Sequence, residues 1–315
     1  MVKFIAKRLA ISVVLLFIVT TLVFAFVHMM PGDPVLTMLG VDSNPDPVTV
    51  EKIRTELGLD QPILVQYGNY LKGIVKLDLG KSYSEKIPVV QAIASRFPRT
   101  LELAFVSLVL ACLAGIIAAV RRGKFSDLML TTVASVGTSV PVYVLGYLLV
   151  VVFALNIFNL PIAKLPASGF TAFSKDPAMH IQKIILPAVT LALGVAASIM
   201  RTTRSSMLDA MAAESIRPLR AKGLSGGKVI RKHVIRNAMI PVITIIGLQL
   251  GNLIGGTVLC ETVFNWPGVA SLLVKAINHR DYPLIQGCVL LISVVYIFTN
   301  MMVDIIYGIL DPRVR

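Results

Sequence analysis

Charge is the first thing this sequence lacks. Asp, Glu, Lys and Arg make up 15% of it, against about 25% in soluble domains. Apolar residues reach 56%. Length alone would suggest two soluble domains, but the apolar residues come in blocks long enough to cross a bilayer, so composition overrides that prior. Cysteine is also sparse: Cys112, Cys260 and Cys288 all fall inside apolar blocks, which excludes a disulfide framework and marks them as small buried hydrophobes. The four histidines, His28, His180, His233 and His279, stand far apart. There is no His-Glu-x-x-His and no Gly-x-Ser-x-Gly elbow, so no catalytic residues and no metal ligands are assigned.

A nucleotide-binding loop is missing too. Gly80-Lys81-Ser82 has Val75 where the earlier glycine is required, and Gly226-Gly227-Lys228 is followed by Val229 rather than Ser or Thr. ATP hydrolysis by this chain is therefore not expected, and the chain is read as something other than an enzyme. Any transport would draw its energy from another polypeptide or from an ion gradient. Ion-coupled carriers usually hold ionisable groups deep in their spans. Here Glu102 lies near one end of its block and Asp304 near an end of the last, with Asn300 on the same helix face. Asp304 is read as a structural charge partner.

Six blocks approach or exceed the about 20 apolar residues needed for a helical crossing: Leu9–Met30, Thr100–Val120, Leu128–Leu155, Ile184–Met200, Ala238–Cys260 and Ile285–Leu310. The first is longer than a signal-peptide core and ends in Met29-Met30-Pro31 without a small-x-small cleavage site. It is read as a permanent span. The net charge of +13 does not point to nucleic acid, because the basic residues gather at one set of span ends. Lys3, Lys7 and Arg8 begin the pattern, and Arg121, Arg122 and Lys124 continue it. Next comes a run from Arg201 to Arg236, and Arg313 and Arg315 close the chain. The opposite connections mix signs, as in Glu51-Lys52, Arg54, Glu56 and Asp60. The positive-inside rule then places both termini in the cytoplasm.

Between blocks one and two, Pro45–Leu57 and Pro62–Val75 are expected to form short helices, the first ended by Gly58. In the second, Leu64, Tyr67, Leu71, Ile74 and Val75 recur at helical spacing and define one apolar face. Block three carries Pro141 between Gly137 and Gly146; the resulting kink either borders a pathway or adjusts packing. In block five Gly247, Gly251 and Gly255 form a small-residue stripe for close helix approach, within the bundle or against a partner. The stretch 201–237 is too polar for hydrocarbon and too long for a turn, so a structured cytoplasmic loop is expected.

That loop contains Arg217-Pro218-Leu219-Arg220-Ala221-Lys222-Gly223-Leu224-Ser225, followed by His233-x-x-Arg236-Asn237-Ala238-Met239-Ile240-Pro241. It resembles the coupling loop of binding-protein-dependent importer permeases, in the dipeptide, oligopeptide and nickel branch. Further matches run along the chain. They are Phe26-Val27-His28-Met29-Met30-Pro31-Gly32-Asp33-Pro34, Glu56 to Pro62, Glu261-x-x-Phe264-x-Trp266-Pro267-Gly268, Arg280-Asp281-Tyr282-Pro283 and Asp311-Pro312-Arg313.

The resemblance implies an all-α polytopic membrane protein with six transmembrane helices, of the type I ABC importer permease fold with a cytoplasmic coupling helix. It divides the chain into residues 1–98 (first span and external segment), 99–310 (a five-helix permease core, loop 201–237 included) and a tail, 311–315. It implies the membrane-channel subunit of an ATP-driven importer of di- or oligopeptides in the bacterial cytoplasmic membrane. Nickel or a metal–chelator complex is the alternative solute, and an ion-coupled secondary transporter the alternative of another class. The implied partners are a second homologous permease, two ATP-binding subunits and an external solute-binding protein. This chain would bind no cofactor, with ATP and Mg on the ATPases. ATPase coupling would fall to Arg217, Arg220, Ala221, Lys222, Gly223 and Leu224; no substrate-binding residue is implied. Pro218 departs from the small residue usual there. Proline is tolerated in a first helical turn, so the coupling helix is expected to begin with it.

Overall fold

The computed structural model describes residues 2–39, 46–159, 164–214, 216–221 and 223–310. Among them the regular structure is helical, apart from one isolated bridge between Lys81 and Pro88. Among the described residues four helices are long and apolar enough to cross a membrane: Phe4–Met29, Val89–Val120, Pro177–Ala212 and Tyr282–Ile305. The fifth block is bent by 54° between Gly226–Met239 and Pro241–Gly251, where Pro241 withdraws a helical donor.

The third block differs from the sequence reading. It is two helices, α7 (Phe125–Ser139) and α8 (Val142–Leu149), and α8 passes into a π-helical turn over Val150–Ala154. Val140 is extended, as a residue before proline prefers, and Pro141 caps α8. The flanking glycines serve packing. A Cβ on Gly137 would stand 2.8 Å from Leu193 Cβ, and one on Gly146 would stand 3.2 Å from the Phe264 ring.

Contacts divide the chain into two compact units that are not consecutive in sequence. One comprises Met1–Leu9, Leu101–Trp266 and Phe298–Arg315; the other comprises Ala10–Thr100 and Pro267–Ile297. In the first unit, α9 (Pro177–Ala212) packs against α7, α8 and α12 (Ile235–Val263). Their core includes Leu103 of α6 (Phe97–Val120), Leu191, Ile199, Leu253 and Phe264. The fully buried Trp266 meets Phe170 edge-on at 5.0 Å. His180 joins this cluster, held by Thr171 O at 2.7 Å and by Glu102 at 2.9 Å, so Glu102 has a partner that its sequence neighbours do not reveal. Asp304 pairs with Arg8, the structural charge role expected of it.

The glycine stripe of α12 does not act as one surface. Gly247 lies so close to Val303 of α14 (Tyr282–Leu310) that no Cβ fits, whereas a Cβ on Gly255 would meet nothing within 4 Å among the described residues. Gly137→Ala is therefore expected to destabilise the chain by about 1–3 kcal/mol through overpacking. Gly255→Ala is expected to stabilise the isolated chain by about 0.5–1 kcal/mol, because alanine is the better residue inside a helix. Thermal unfolding of the two variants in detergent checks this. Equal melting temperatures would contradict the packing assignment.

In the second unit, α1 (Val2–Met29) stops before Pro31, and Gly32 turns the chain at φ 105° under the Arg280 guanidinium. Asp33 Oδ1 then accepts from Val35 N at 2.8 Å and opens α2 (Pro34–Leu39) with proline in first place. The two expected short helices are α3 (Pro47–Glu56) and α4 (Ile63–Lys76). The apolar face read from the spacing of α4 packs only in part: Tyr67, Leu71 and Ile74 are half-buried, whereas Leu64 and Val75 are 79% and 85% exposed. Contact with α1 falls to Tyr67 of that face, joined by Gln66 and Tyr70. Tyr67 Oη lies 2.7 Å from Thr21 Oγ1, Tyr70 stacks on Phe24, and Gln66 reaches His28. Bonded polar tips and aromatic rings decide the face, and the aliphatic residues at the edge of the arc stay outside. The core of this unit joins Val27, Val89 and Ile93 of α5 (Val89–Ala94), Leu272 of α13 (Val269–Asn278), and Leu284 and Cys288 of α14.

Candidate functional site

The basic stretch 201–237 is more helical than a loop. α9 continues without a break through Arg201 and Arg204 to Ala212. Arg204 bonds Asp127 at 2.8 Å, and Asp127 also accepts from Gly123 N, closing the turn between α6 and α7. Ala213 is extended, Ile216 N donates to Ala213 O at 3.0 Å, and the chain enters α10 (Ile216–Ala221). Ser225 precedes α11 (Gly226–Val229), which leads through a π-helical turn over Ile230–Val234 into α12.

α10 is short, and an isolated helix of this length is not stable in water. A small core of its own holds it. Ile216, 2% exposed, packs with Met207 of α9, Val229 of α11, Val234, Ala238 of α12 and Ala119 of α6. Three long helices and the loop thus share one apolar cluster. Displacing α10 would pull directly on α6, α9 and α12, since close-packed interiors transmit strain rather than absorb it.

The expected coupling residues divide unevenly. Ala221 is exposed at the end of α10. Gly223 follows with φ 76° and, among the described residues, no atom beyond its chain neighbours within 4 Å of a Cβ position, a left-handed turn that ends a helix and favours glycine. Leu224 is half-buried against the Ile216 cluster, so it anchors the loop. The side chains of Arg217 and Arg220, and Lys222 altogether, lie outside the described residues. Ile216 was not singled out by sequence reasoning. Its signal was an isolated β-branched apolar residue inside a basic stretch.

The start of the helix also differs from the sequence reading: α10 begins at Ile216, two residues before Pro218. Pro218 is its third residue, still in the first turn, where backbone N–H groups have no intrahelical acceptor. Pro218→Ala is accordingly expected to leave the ATP hydrolysis coupled to transport within about twofold of the parent, since no helical hydrogen bond is gained. A large gain or loss of coupled hydrolysis would place the proline in a helix interior.

No group of three or more His, Cys, Asp or Glu side chains lies together for a metal ion among the described residues. What the geometry shows is a helical chain, with helices long and apolar enough to cross a membrane, whose basic loop is anchored on one side and open on the other.

The comparisons with known proteins agree. Residues 1–104 match the N-terminal membrane component of binding-protein-dependent transport systems, and residues 111–315 match the inner membrane component of the same systems. The glutathione transport system permease protein GsiC of Escherichia coli O6:H1 is 43% identical over 319 aligned residues, covering 100% of this chain and 99% of that protein. Its counterparts in Escherichia coli K12 and Shigella dysenteriae serotype 1 are 42% identical over the same coverage. A solved chain of an amino acid ABC transporter with histidines superposes with a TM-score of 0.45 at 15% identity, over 71% of this chain and 94% of its own.

The chain belongs to the family of binding-protein-dependent transport system inner membrane components. It is an ABC importer permease, a transport component and not an enzyme, and it works with an ATPase and a solute-binding component.

Proposed function

We propose that this chain is one of two permeases in an importer for short peptides of the bacterial cytoplasmic membrane, with both termini in the cytoplasm. A homologous second permease completes the pathway, two ATP-binding subunits hold ATP and Mg, and an external binding protein delivers the solute. The chain itself binds no cofactor. The α10 loop, with Arg217, Arg220, Ala221, Lys222, Gly223 and Leu224, receives the motion of an ATPase.

The observation that carries the coupling role is α10 itself: anchored through Ile216 to α6, α9 and α12, and open at Pro218, Ala221 and Gly223. A motion imposed on its exposed side reaches three long helices through one apolar cluster. The solute class is supported by relatives named for glutathione, a tripeptide, which align over the full chain.

Two measurements test this reading. Cysteine reporters at Ser225 and Lys52, both exposed, are introduced in a background with the native cysteines replaced by alanine. Ser225→Cys should be shielded from impermeant thiol reagents in intact cells and Lys52→Cys labelled; the reverse pattern refutes the orientation. Co-purification of the assembly and uptake into proteoliposomes should then show ATP-dependent accumulation of di- or tripeptides. Accumulation of nickel or a metal chelate instead would overturn the solute assignment.

A further inference from the structure

The segment between α1 and α5 contains a cavity of about 330 Å³, at the lower end of the about 300–1,000 Å³ typical of small-molecule sites. All its walls belong to one compact unit: the ends of α1 and α3, α4 and the turn before it, Tyr83, and the start of α14. Part of its polar lining is paired internally, His28 Nε2 lying 3.1 Å from Gln66 Oε1 and Gln66 Nε2 donating to Gln61 O at 2.8 Å, but three further groups are not. The Tyr70 hydroxyl is buried and has no hydrogen-bond partner among the described residues. The Gln286 side chain, in a residue 9% exposed, makes no hydrogen bond among the described residues. Glu56, on the rim, has no ion-pair partner among them.

A buried donor or acceptor without a partner costs about 1–3 kcal/mol, so native structures rarely leave one empty, and the Tyr70 hydroxyl is such a group. Burial, and secondarily the neighbouring Tyr67, push the Tyr70 phenol up to about 12. It therefore stays a neutral hydroxyl that can donate. The Gln286 amide both donates and accepts, as a peptide group requires of its partner. Phe24, Tyr83 and Tyr282 supply aromatic walls, and the Glu56 carboxylate is the group that would meet a free amine.

We propose that this cavity is a binding site for a short peptide, with Gln286 and Tyr70 bonding its peptide group and Glu56 receiving its α-ammonium. The volume suits two or three residues and excludes an extended oligopeptide. The choice of a peptide over another polar solute rests on the peptide-importer reading above. Opening to the external side in that topology, the site would hold solute on the permease itself, beside the pathway and independently of the binding protein.

The test is calorimetric titration of the dipeptide Ala-Phe into the complete importer in nanodiscs, without its binding protein. One saturable site per copy of this chain is expected. Gln286→Leu and Tyr70→Phe should each weaken it about tenfold, the worth of one hydrogen bond, and N-acetyl-Ala-Phe should bind about tenfold more weakly than the free-amine form. Tyr70→Phe removes a hydroxyl that has no internal partner. It should not lower the melting temperature, so its effect on binding stands even if Gln286→Leu folds poorly. Absence of saturable binding, binding insensitive to both variants, or variant-sensitive binding of maltose in place of the peptide would each overturn the proposal. Wild-type peptide uptake with the binding protein, measured in parallel, separates the two readings. Uptake without cavity binding sinks the site alone, and loss of both sinks the peptide-importer reading as well.

Discussion

Gly223→Val and Ala221→Trp are expected to abolish solute uptake while the chain still folds and reaches the membrane. At φ 76° Gly223 sits in the left-handed region, where a β-branched residue is a steric outlier and the cost for an L-residue is roughly 1–2 kcal/mol. Among the described residues nothing beyond its chain neighbours lies within 4 Å of a Cβ there, so valine would disturb only the local path from α10 to Ser225. Ala221 is exposed, so tryptophan there would cost the isolated permease little packing. What both changes attack is the surface offered to an ATPase.

Expression, and solute binding by the binding protein, should be normal, with uptake and stimulation of ATP hydrolysis lost. Gly223→Asn supplies the rescue, because asparagine tolerates the left-handed conformation; near-normal uptake is expected for it. Normal uptake by both disruptive variants at normal expression would show that α10 and its turn are not the coupling element.

Asp281→Ala is expected to destabilise the second compact unit by several kcal/mol, because each donor left buried and unpaired costs about 1–3 kcal/mol. Asp281 is fully buried. Its Oδ2 accepts from Ser82 Oγ at 2.6 Å, Ser84 N at 2.9 Å and Ser84 Oγ at 2.8 Å, and its Oδ1 accepts from Leu284 N at 3.2 Å at the start of α14. One carboxylate therefore caps a long helix and clamps the turn closed by the Lys81–Pro88 bridge. Alanine strands these donors away from water. Burial, followed by the charge of Asp281, raises the neighbouring Tyr83 phenol well above its usual range. Ser84→Ala removes one of the four donors and should cost about 1 kcal/mol. Thermal unfolding in detergent and proteolysis at residues 81–88 measure both. A shift for Asp281→Ala no larger than that for Ser84→Ala would refute the clamp.

The same motif shows why function-like signals in a sequence can be structural. Gly80-Lys81-Ser82 resembles the end of a phosphate loop, yet Ser82 donates to Asp281 199 positions away. His180 and Glu102 stand in different apolar blocks and meet at 2.9 Å. Neither pairing has a signature in spacing, because both depend on which helices become neighbours. Pro141 was ambiguous for a related reason. Its local effect is dictated by its ring, but only Leu193 and Phe264 reveal that the flanking glycines exist for close approach.

The sequence by itself determined the class of environment and the covalent punctuation of the fold. Blocks of about 20 apolar residues specify helices in lipid, because an unpaired backbone cannot lie in hydrocarbon. Proline and glycine set where α1 ends, where α2 and α3 begin, and where α10 turns into Gly223. These are local interactions within a few residues, and they survive whatever packs around them. Tertiary structure alone decided that α4 turns Gln66, Tyr67 and Tyr70 rather than Leu64 and Val75 toward α1, that Ile216 ties α10 to three long helices, and that Tyr70 and Gln286 line one cavity. Each depends on contacts between residues far apart in the chain, and side-chain periodicity defines the faces of a helix without naming the neighbour that will cover them.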